Sequence, residues 1–173
     1  MRFSLLYKYC PVCGSSDFKE NNVKSKKCGQ CGFVYYINAS AAVAAFIVNE
    51  AGELLVCRRV KDPAKGSWDL TGGFVDENET AEEAIVREVN EELGAKVTEV
   101  RFLFSLPNEY EYSGLTIPTL DMFFKCKLES CDNLTASDDV AECFFVPLND
   151  LNIEQFGLKS IRKAISLFRL NFI

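Results

Sequence analysis

The sequence predicts an α+β or α/β/α layered domain behind a small cysteine-paired N-terminal segment. Three observations carry this expectation. Two Cys-x-x-Cys pairs are confined to the first 31 residues. Strand-like apolar runs then recur from residue 41 to residue 146. Two segments carry helical signals instead, one ahead of Gly94 and one near the C-terminus. Mixed strands with two helices bury their apolar faces most simply as stacked layers. With 173 residues there is room for one ordinary domain and a small appendage.

The elements follow in chain order. Residues 14–27 separate the cysteine pairs, enough for a small β-hairpin. Residues 1–37 form the first unit and 38–173 the second, with no long linker between them. Ala41 to Val48 is a continuous apolar run and reads as a buried strand. Glu50-Ala51-Gly52-Glu53 is a turn, and Leu54 to Cys57 is the returning strand, so 41–58 reads as a hairpin. Asp62 to Gly66 is loop, and Trp68-Asp69-Leu70 is a short strand stopped by Gly72-Gly73. Thr80 with Glu83 three residues on makes a capping box, and Gly94 closes that helix. Val97–Phe104 and Thr119–Leu128 are strand-like, with the tyrosine-bearing segment 105–118 between them, and Phe144-Phe145-Val146 is another strand. Leu158 to Leu170 is amphipathic, with Leu158, Ile161, Ile165 and Phe168 on one stripe.

Composition excludes several chemistries. Histidine is absent, which removes His-based acid–base catalysis, Ser-His-Asp triads and imidazole metal ligands. The net charge of −6 disfavours a broad electrostatic grip on nucleic acid. Residues 1–37 are the exception, with Arg2, Lys8, Lys19, Lys24, Lys26 and Lys27 against Asp17 and Glu20. No apolar run approaches the roughly 20 residues of a membrane helix, and the apolar patch Phe3–Tyr7 is too short for a signal peptide. A cytoplasmic protein without membrane contact is expected.

Cys10-Pro11-Val12-Cys13 and Cys28-Gly29-Gln30-Cys31 are each followed by glycine, Gly14 and Gly32. Glycine lets the backbone turn so that its amides point at the thiolates. Two such knuckles bring four thiolates, Cys10, Cys13, Cys28 and Cys31, into tetrahedral reach of one structural Zn²⁺. Disulfides are the alternative, disfavoured without a secretory signal. The segment resembles a zinc ribbon. Cys57, Cys126 and Cys143 lie in or beside apolar runs and read as buried free thiols, and Cys131 has no matching partner spacing.

The stretch Gly73 to Ala95 concentrates carboxylates. On a helical wheel with Glu88 at zero, Glu91 falls near −60° and Glu92 near +40°. Ile85, Val86, Val89 and Leu93 occupy the neighbouring arc that would face the core. A solvated acidic face with Arg87 as counterion explains the three glutamates, but not the two glycines, the loop and Glu79 at the entry. Oxygen-only ligands grouped this way suit Mg²⁺ or Mn²⁺, which also bind phosphate oxygens. Gly73 at the mouth would let its carbonyl join the metal shell and a polyphosphate approach the backbone.

Gly73, Glu79, Arg87, Glu88, Val89, Glu91, Glu92 and Gly94 match in register the Nudix box, which runs Gly, five residues, Glu, seven residues, Arg-Glu, a hydrophobe, any residue, Glu-Glu, any residue, Gly. Ala95 stands where a bulkier apolar residue is usual. Arg58-Arg59, Pro63, Gly66, Trp68-Asp69-Leu70 and Gly72-Gly73 resemble the family's approach to the box, with Thr71 where proline is common. Glu142-Cys143-Phe144-Phe145-Val146-Pro147-Leu148 resembles its Glu-bearing strand entry. The resemblance spans about 38–170 and implies a Nudix-type α/β/α sandwich with a mixed sheet. It further implies hydrolysis of a nucleoside diphosphate linked to another moiety. The family's metal ligands carry over onto Glu88, Glu91 and Glu92, with the Gly73 carbonyl added and Glu142 as a further ligand or base. Arg87 would pair with Glu79 or a neighbouring glutamate and position the loop. Glu88, Glu91 and Glu142 all remain open as general base.

A four-cysteine ribbon ahead of a Nudix domain is similar to the NADH pyrophosphatase group. That group carries a Ser-Gln-Pro-Trp-Pro-Phe-type motif after its box. Here the corresponding residues are Ser105-Leu106-Pro107-Asn108-Glu109-Tyr110, in which Ser105 and Pro107 match and the aromatic part does not. NADH, ADP-ribose, other nucleotide sugars and a broader range of dinucleotides stay open, with Tyr110 and Tyr112 as candidates for base stacking. Many relatives dimerise, so a homodimer is the expected assembly. The alternatives to hydrolysis are a non-catalytic nucleotide sensor or nucleic-acid-binding ribbon module, supported only by Lys24, Lys26 and Lys27, and an isomerase on the same scaffold.

Overall fold

A computed structural model describes residues 7–137 and 139–171. These divide into two compact units. The first holds the chain up to Ala39 together with Glu109–Pro118, and the second holds Ser40–Asn108 and Thr119 onward.

In the first unit, β1 (Phe18–Asn22), β2 (Ser25–Cys28) and β3 (Val34–Tyr36) form an antiparallel sheet. The hairpin expected between the cysteine pairs is β1–β2, and β3 extends it. Phe18, Cys10 and Cys28 make the small buried centre, flanked by Tyr7, Phe33 and Tyr35. Lys26 is not a surface cation. It is buried, its ammonium bonds to the Tyr7 carbonyl and it lies over the Phe18 ring. A basic nucleic-acid face built on Lys24, Lys26 and Lys27 therefore loses its middle member.

The second unit contains two three-stranded sheets. One has the order β4 (Ser40–Ile47), β8 (Leu115–Leu128), β7 (Val97–Tyr112), with β4 parallel to β8. The other has the order β6 (Trp68–Asp69), β5 (Glu53–Arg59), β9 (Val140–Pro147), all antiparallel. The helices are α1 (Ala81–Leu93) and α2 (Lys159–Asn171).

Two corrections to the strand reading have physical causes. The turn at Asn49–Gly52 forms, but β4 and β5 do not make a hairpin ladder. They share one bridge, Val48–Leu54, and then enter different sheets. Segment 105–118 is strand rather than connection, because β7 and β8 run on to a two-residue turn at Ser113 and Gly114, both at positive φ (51° and 76°). That geometry matches strand twist in tight hairpins. Its prolines are tolerated where ladder donors are not needed. Pro107 is on β7, an edge strand, and Pro118 precedes the point where β4 begins to pair, at Ser40 opposite Thr119.

The apolar run of β4 is continuous because both its faces are covered. Val43, Ala45 and Ile47 pack with Ile85, Val89 and Leu93 of α1. Ala44 and Phe46 pack with Ile161, Ala164, Ile165 and Phe168 of α2, and the Phe46 and Phe168 rings stack at 4.1 Å. Cys57 and Cys126 are buried free thiols as expected, whereas Cys143 is only half-buried. Among the described residues no helix is long and apolar enough to cross a membrane.

Candidate active site and cysteine cluster

Segment Thr71–Val75 is laid against β4 by three backbone bonds: Ala45 N–H to Thr71 O (2.9 Å), Val43 N–H to Gly73 O (2.8 Å) and Val75 N–H to Ala41 O (3.0 Å). The Gly73 carbonyl thus already accepts one hydrogen bond. Gly72 is required by its close approach to the β4 backbone, and Gly73 leaves room for a carboxylate. A Cβ at Gly72 would lie 2.1 Å from the Val43 carbonyl oxygen, and one at Gly73 would lie 2.3 Å from Glu88 Oε1. Thr80 then starts α1 with a complete capping box. Its hydroxyl accepts from the Glu83 N–H, and the Glu83 carboxylate accepts from the Thr80 N–H.

The face α1 turns inward differs from the wheel expectation. Val86 is 39% exposed, while Ala84, Glu88 and Glu92 are buried beside Ile85, Val89 and Leu93. The inward arc is shifted toward the carboxylates because the helix rests on the Gly72–Gly73 segment. Gly72 N–H donates to Glu92 Oε2 at 3.1 Å.

Arg87 organises the rest. Its Nε and Nη2 grip Glu79 at 2.8 and 2.9 Å, its Nη1 reaches Glu88 at 2.8 Å and Glu91 at 3.1 Å, and Nη2 also donates to the Phe74 carbonyl. This bidentate fork holds the Glu79 carboxyl down to about 2, with a further bond from the Asp76 N–H. Glu92 is the opposite case. Burial pushes it up to about 8 against the Gly72 bond, and the charges of Glu88, Asp69 and Asp139 add to the rise.

The structure brings Glu79, Arg87, Glu88 and Glu91 into one network and places Glu92 beside it. It puts Glu142 elsewhere in its contacts, on β9 opposite Arg58, whose Nε donates to Glu142 Oε1 at 2.6 Å. Among the described residues only the four cysteines bring three or more potential ligand atoms within 4.8 Å of one another. Glu88, Glu91 and Glu92 share a helix end without converging that far.

Two buried acids were not singled out from the sequence. Asp69 is 6% exposed and bonded to Arg59 at 2.5 Å and to the Leu70 N–H at 2.9 Å. Asp121 is 8% exposed on β8, bonded to Thr119 and Asn108. The signal available for Asp121 was a lone charge inside the apolar run Leu120 to Phe124. Tyr110 is half-buried and Tyr112 exposed, both at the β7 end that belongs to the first unit.

The cysteines form two like knuckles. Gly14 N–H bonds Cys10 O and Gly32 N–H bonds Cys28 O, with Gly14 and Gly32 at φ 72° and 77°. The Cys10–Cys31 and Cys13–Cys28 sulfurs are 3.7 and 3.6 Å apart. Those separations exceed a disulfide bond by more than an ångström. They match the roughly 3.8 Å edge of a tetrahedron with Zn–S bonds of about 2.3 Å. Backbone N–H groups of Cys31 and Gln30 aimed at Cys28 help lower that thiol to about 6. The cluster is consistent with a small zinc ribbon.

The NUDIX domain family model matches residues 39–167. The chain belongs to the Nudix family. A Nudix relative from Methanocaldococcus jannaschii, named ADP-ribose pyrophosphatase, is 35% identical over 130 residues, covering 74% of this chain and 73% of its own. A Deinococcus radiodurans relative named NAD-capped RNA hydrolase NudC is 28% identical over 152 residues, covering 86% of this chain. This chain spans only 52% of that relative's length, and 38% of a Vibrio parahaemolyticus protein of the same name. The crystal structure of a Nudix hydrolase from Nitrosomonas europaea superposes with a TM-score of 0.74 at 22% identity, covering 95% of this chain and 92% of that one, which establishes the shared fold.

Proposed function

We propose that this Nudix chain is a divalent-metal-dependent pyrophosphohydrolase that cleaves a nucleoside diphosphate linked to another moiety. The observation that carries the reading is the Arg87 clamp beside an enclosed negative site. Arg87 is committed to Glu79 by a two-point grip and also reaches Glu88, and Asp69 is paired with Arg59, while Glu92, 5% exposed between these acids, has no ion pair among the described residues. Buried like charges of this kind are retained where a cation compensates them. The donors are all carboxylate oxygens, which fits Mg²⁺ or Mn²⁺. Glu88, Glu91 and Glu92 would hold the ion, and Gly73 leaves the room that the Glu88 carboxylate occupies.

Such an ion supplies charge neutralisation of the pyrophosphate, activation of water and stabilisation of the leaving phosphate. The chain's own groups do the positioning. The Arg87–Glu79 fork pins the 74–79 loop onto the helix. Gly72 N–H orients the Glu92 carboxylate. Glu91, with its side chain 48% exposed, is accessible as a proton acceptor for incoming water. Glu142, bonded to Arg58 through Oε1 and with its side chain 54% exposed, is the alternative acceptor. The four thiolates of Cys10, Cys13, Cys28 and Cys31 would hold a structural Zn²⁺, with no position left for substrate.

The test is a panel of ADP-ribose, NADH, nucleotide sugars and nucleoside triphosphates with Mg²⁺. Release of a nucleoside monophosphate from at least one diphosphate-linked substrate is expected. Tight binding of the panel with no cleavage would instead favour the nucleotide-sensor reading.

A further inference from the structure

We infer that Asn108, held in one orientation by the buried carboxylate of Asp121, is a specificity residue that reads a planar substrate edge carrying a hydrogen-bond donor beside an acceptor. The inference deepens the proposed function and rests on it for the substrate class. Asp121 is 8% exposed, and its two oxygens accept from Thr119 Oγ1 at 2.6 Å and Asn108 Nδ2 at 2.9 Å. No ion pair to Asp121 occurs among the described residues. A buried carboxylate without a cation is costly, so its retention calls for a role.

Orientation is that role. The amide nitrogen of Asn108 donates to Asp121 Oδ2, which turns the Asn108 carbonyl oxygen away from that carboxyl group. The Asn108 carbonyl oxygen and second N–H are left without a partner among the described residues, and the residue is half-buried. An asparagine presenting one N–H and one C=O makes a paired contact with the donor–acceptor edge of adenine. The carboxamide of a nicotinamide offers the same chemistry.

Position agrees. Asp121 stands opposite Ala42 of β4, and Ala42 is bridged on its other side to Phe74. Two strand spacings, about 10 Å, therefore separate the Asp121 backbone from the segment that carries Gly73. A ribose and a diphosphate can bridge such a gap.

The experiment measures equilibrium binding of four probes to the full chain: ADP-ribose, its counterpart with unsubstituted purine in place of adenine, NADH, and the nicotinic-acid counterpart of NADH. The wild type is expected to prefer one amine- or amide-bearing member over the partner that lacks the donor by about tenfold or more. The pair that discriminates identifies adenine or nicotinamide as the group read. Asn108→Ala should bring that ratio close to one. Asp121→Asn, of equal volume, should weaken it, because an amide there no longer dictates how Asn108 points. Equal binding of all four probes, or a preference that survives in Asn108→Ala, overturns the inference. Cleavage followed in the same samples keeps the two readings apart. Discrimination without cleavage removes the hydrolase and leaves the inference standing, and cleavage without discrimination does the reverse.

Discussion

Glu92 must lose a proton in a pocket that already holds Glu88 and Asp69, and this makes the metal-free protein sensitive to pH. Its carboxyl rises from an ordinary value of 4.5 to about 8 through burial. The folded state then holds the proton more tightly than the unfolded chain. The corresponding stability is complete below about pH 4.5 and is lost as pH climbs through about 8. Glu92→Gln should keep the Gly72 bond and remove this dependence. The variant is expected to be more stable than the parent at pH 9 without added Mg²⁺, alike near pH 4, and without Mg²⁺-dependent turnover. Thermal melts across that window check it. A parent whose melting is flat from pH 4 to 9 contradicts the buried-acid description, and full turnover in Glu92→Gln contradicts the metal assignment. The spacing of Glu88, Glu91 and Glu92 was legible because i, i+3 and i+4 share a helix face. Their unequal burial was not legible, since it depends on which segment the helix rests upon.

At the scale of elements, α1 was readable from end to end. Thr80, Glu83 and Gly94 are local signals, and each caps as expected, with Gly94 in the left-handed region at φ 62°. The loop before it was readable only as glycine-rich. Its function as a strip bonded to β4 and pressed on Glu88 arises from contact with residues 30 positions away. Gly73→Ala tests that contact, because the new methyl would sit 2.3 Å from Glu88 Oε1 and must displace the carboxylate. Loss of about a hundredfold in Mg²⁺-dependent turnover is expected, with far-UV circular dichroism unchanged. Wild-type turnover in that variant would show that Glu88 need not stand where the glycine places it. The strand pattern was legible in β4 and β5, but their pairing was not. A turn brings two strands together, yet burial of β4 on both faces draws it to β8 instead of β5.

For the whole molecule, the buried apolar residues of the N-terminal unit are, among the described residues, Cys10, Phe18 and Cys28. Such a core cannot hold itself together without a staple. Cys28→Ser should lower bound zinc well below one per chain and unfold the first unit. Hydrogen exchange of α1 and α2 should stay slow, because their packing on β4 lies in the second unit. Elemental analysis with hydrogen exchange measures both. Stoichiometric zinc in the variant would refute the four-thiolate site.

Taken alone, the order of residues determined the cysteine knuckles, the capped carboxylate helix, the amphipathic α2 and membership of the Nudix family. Each of these is written in spacings a few residues long, where covalent geometry fixes what can face what. Arg87 was expected to pair with Glu79 or a neighbouring glutamate; tertiary structure alone decided that the two-point grip falls on Glu79, that Glu142 pairs with Arg58, and that Asp121 lies buried behind Asn108. Those partnerships join residues 8 to 84 positions apart. They are set by which surfaces the two sheets and two helices bury together, and no local spacing encodes that choice.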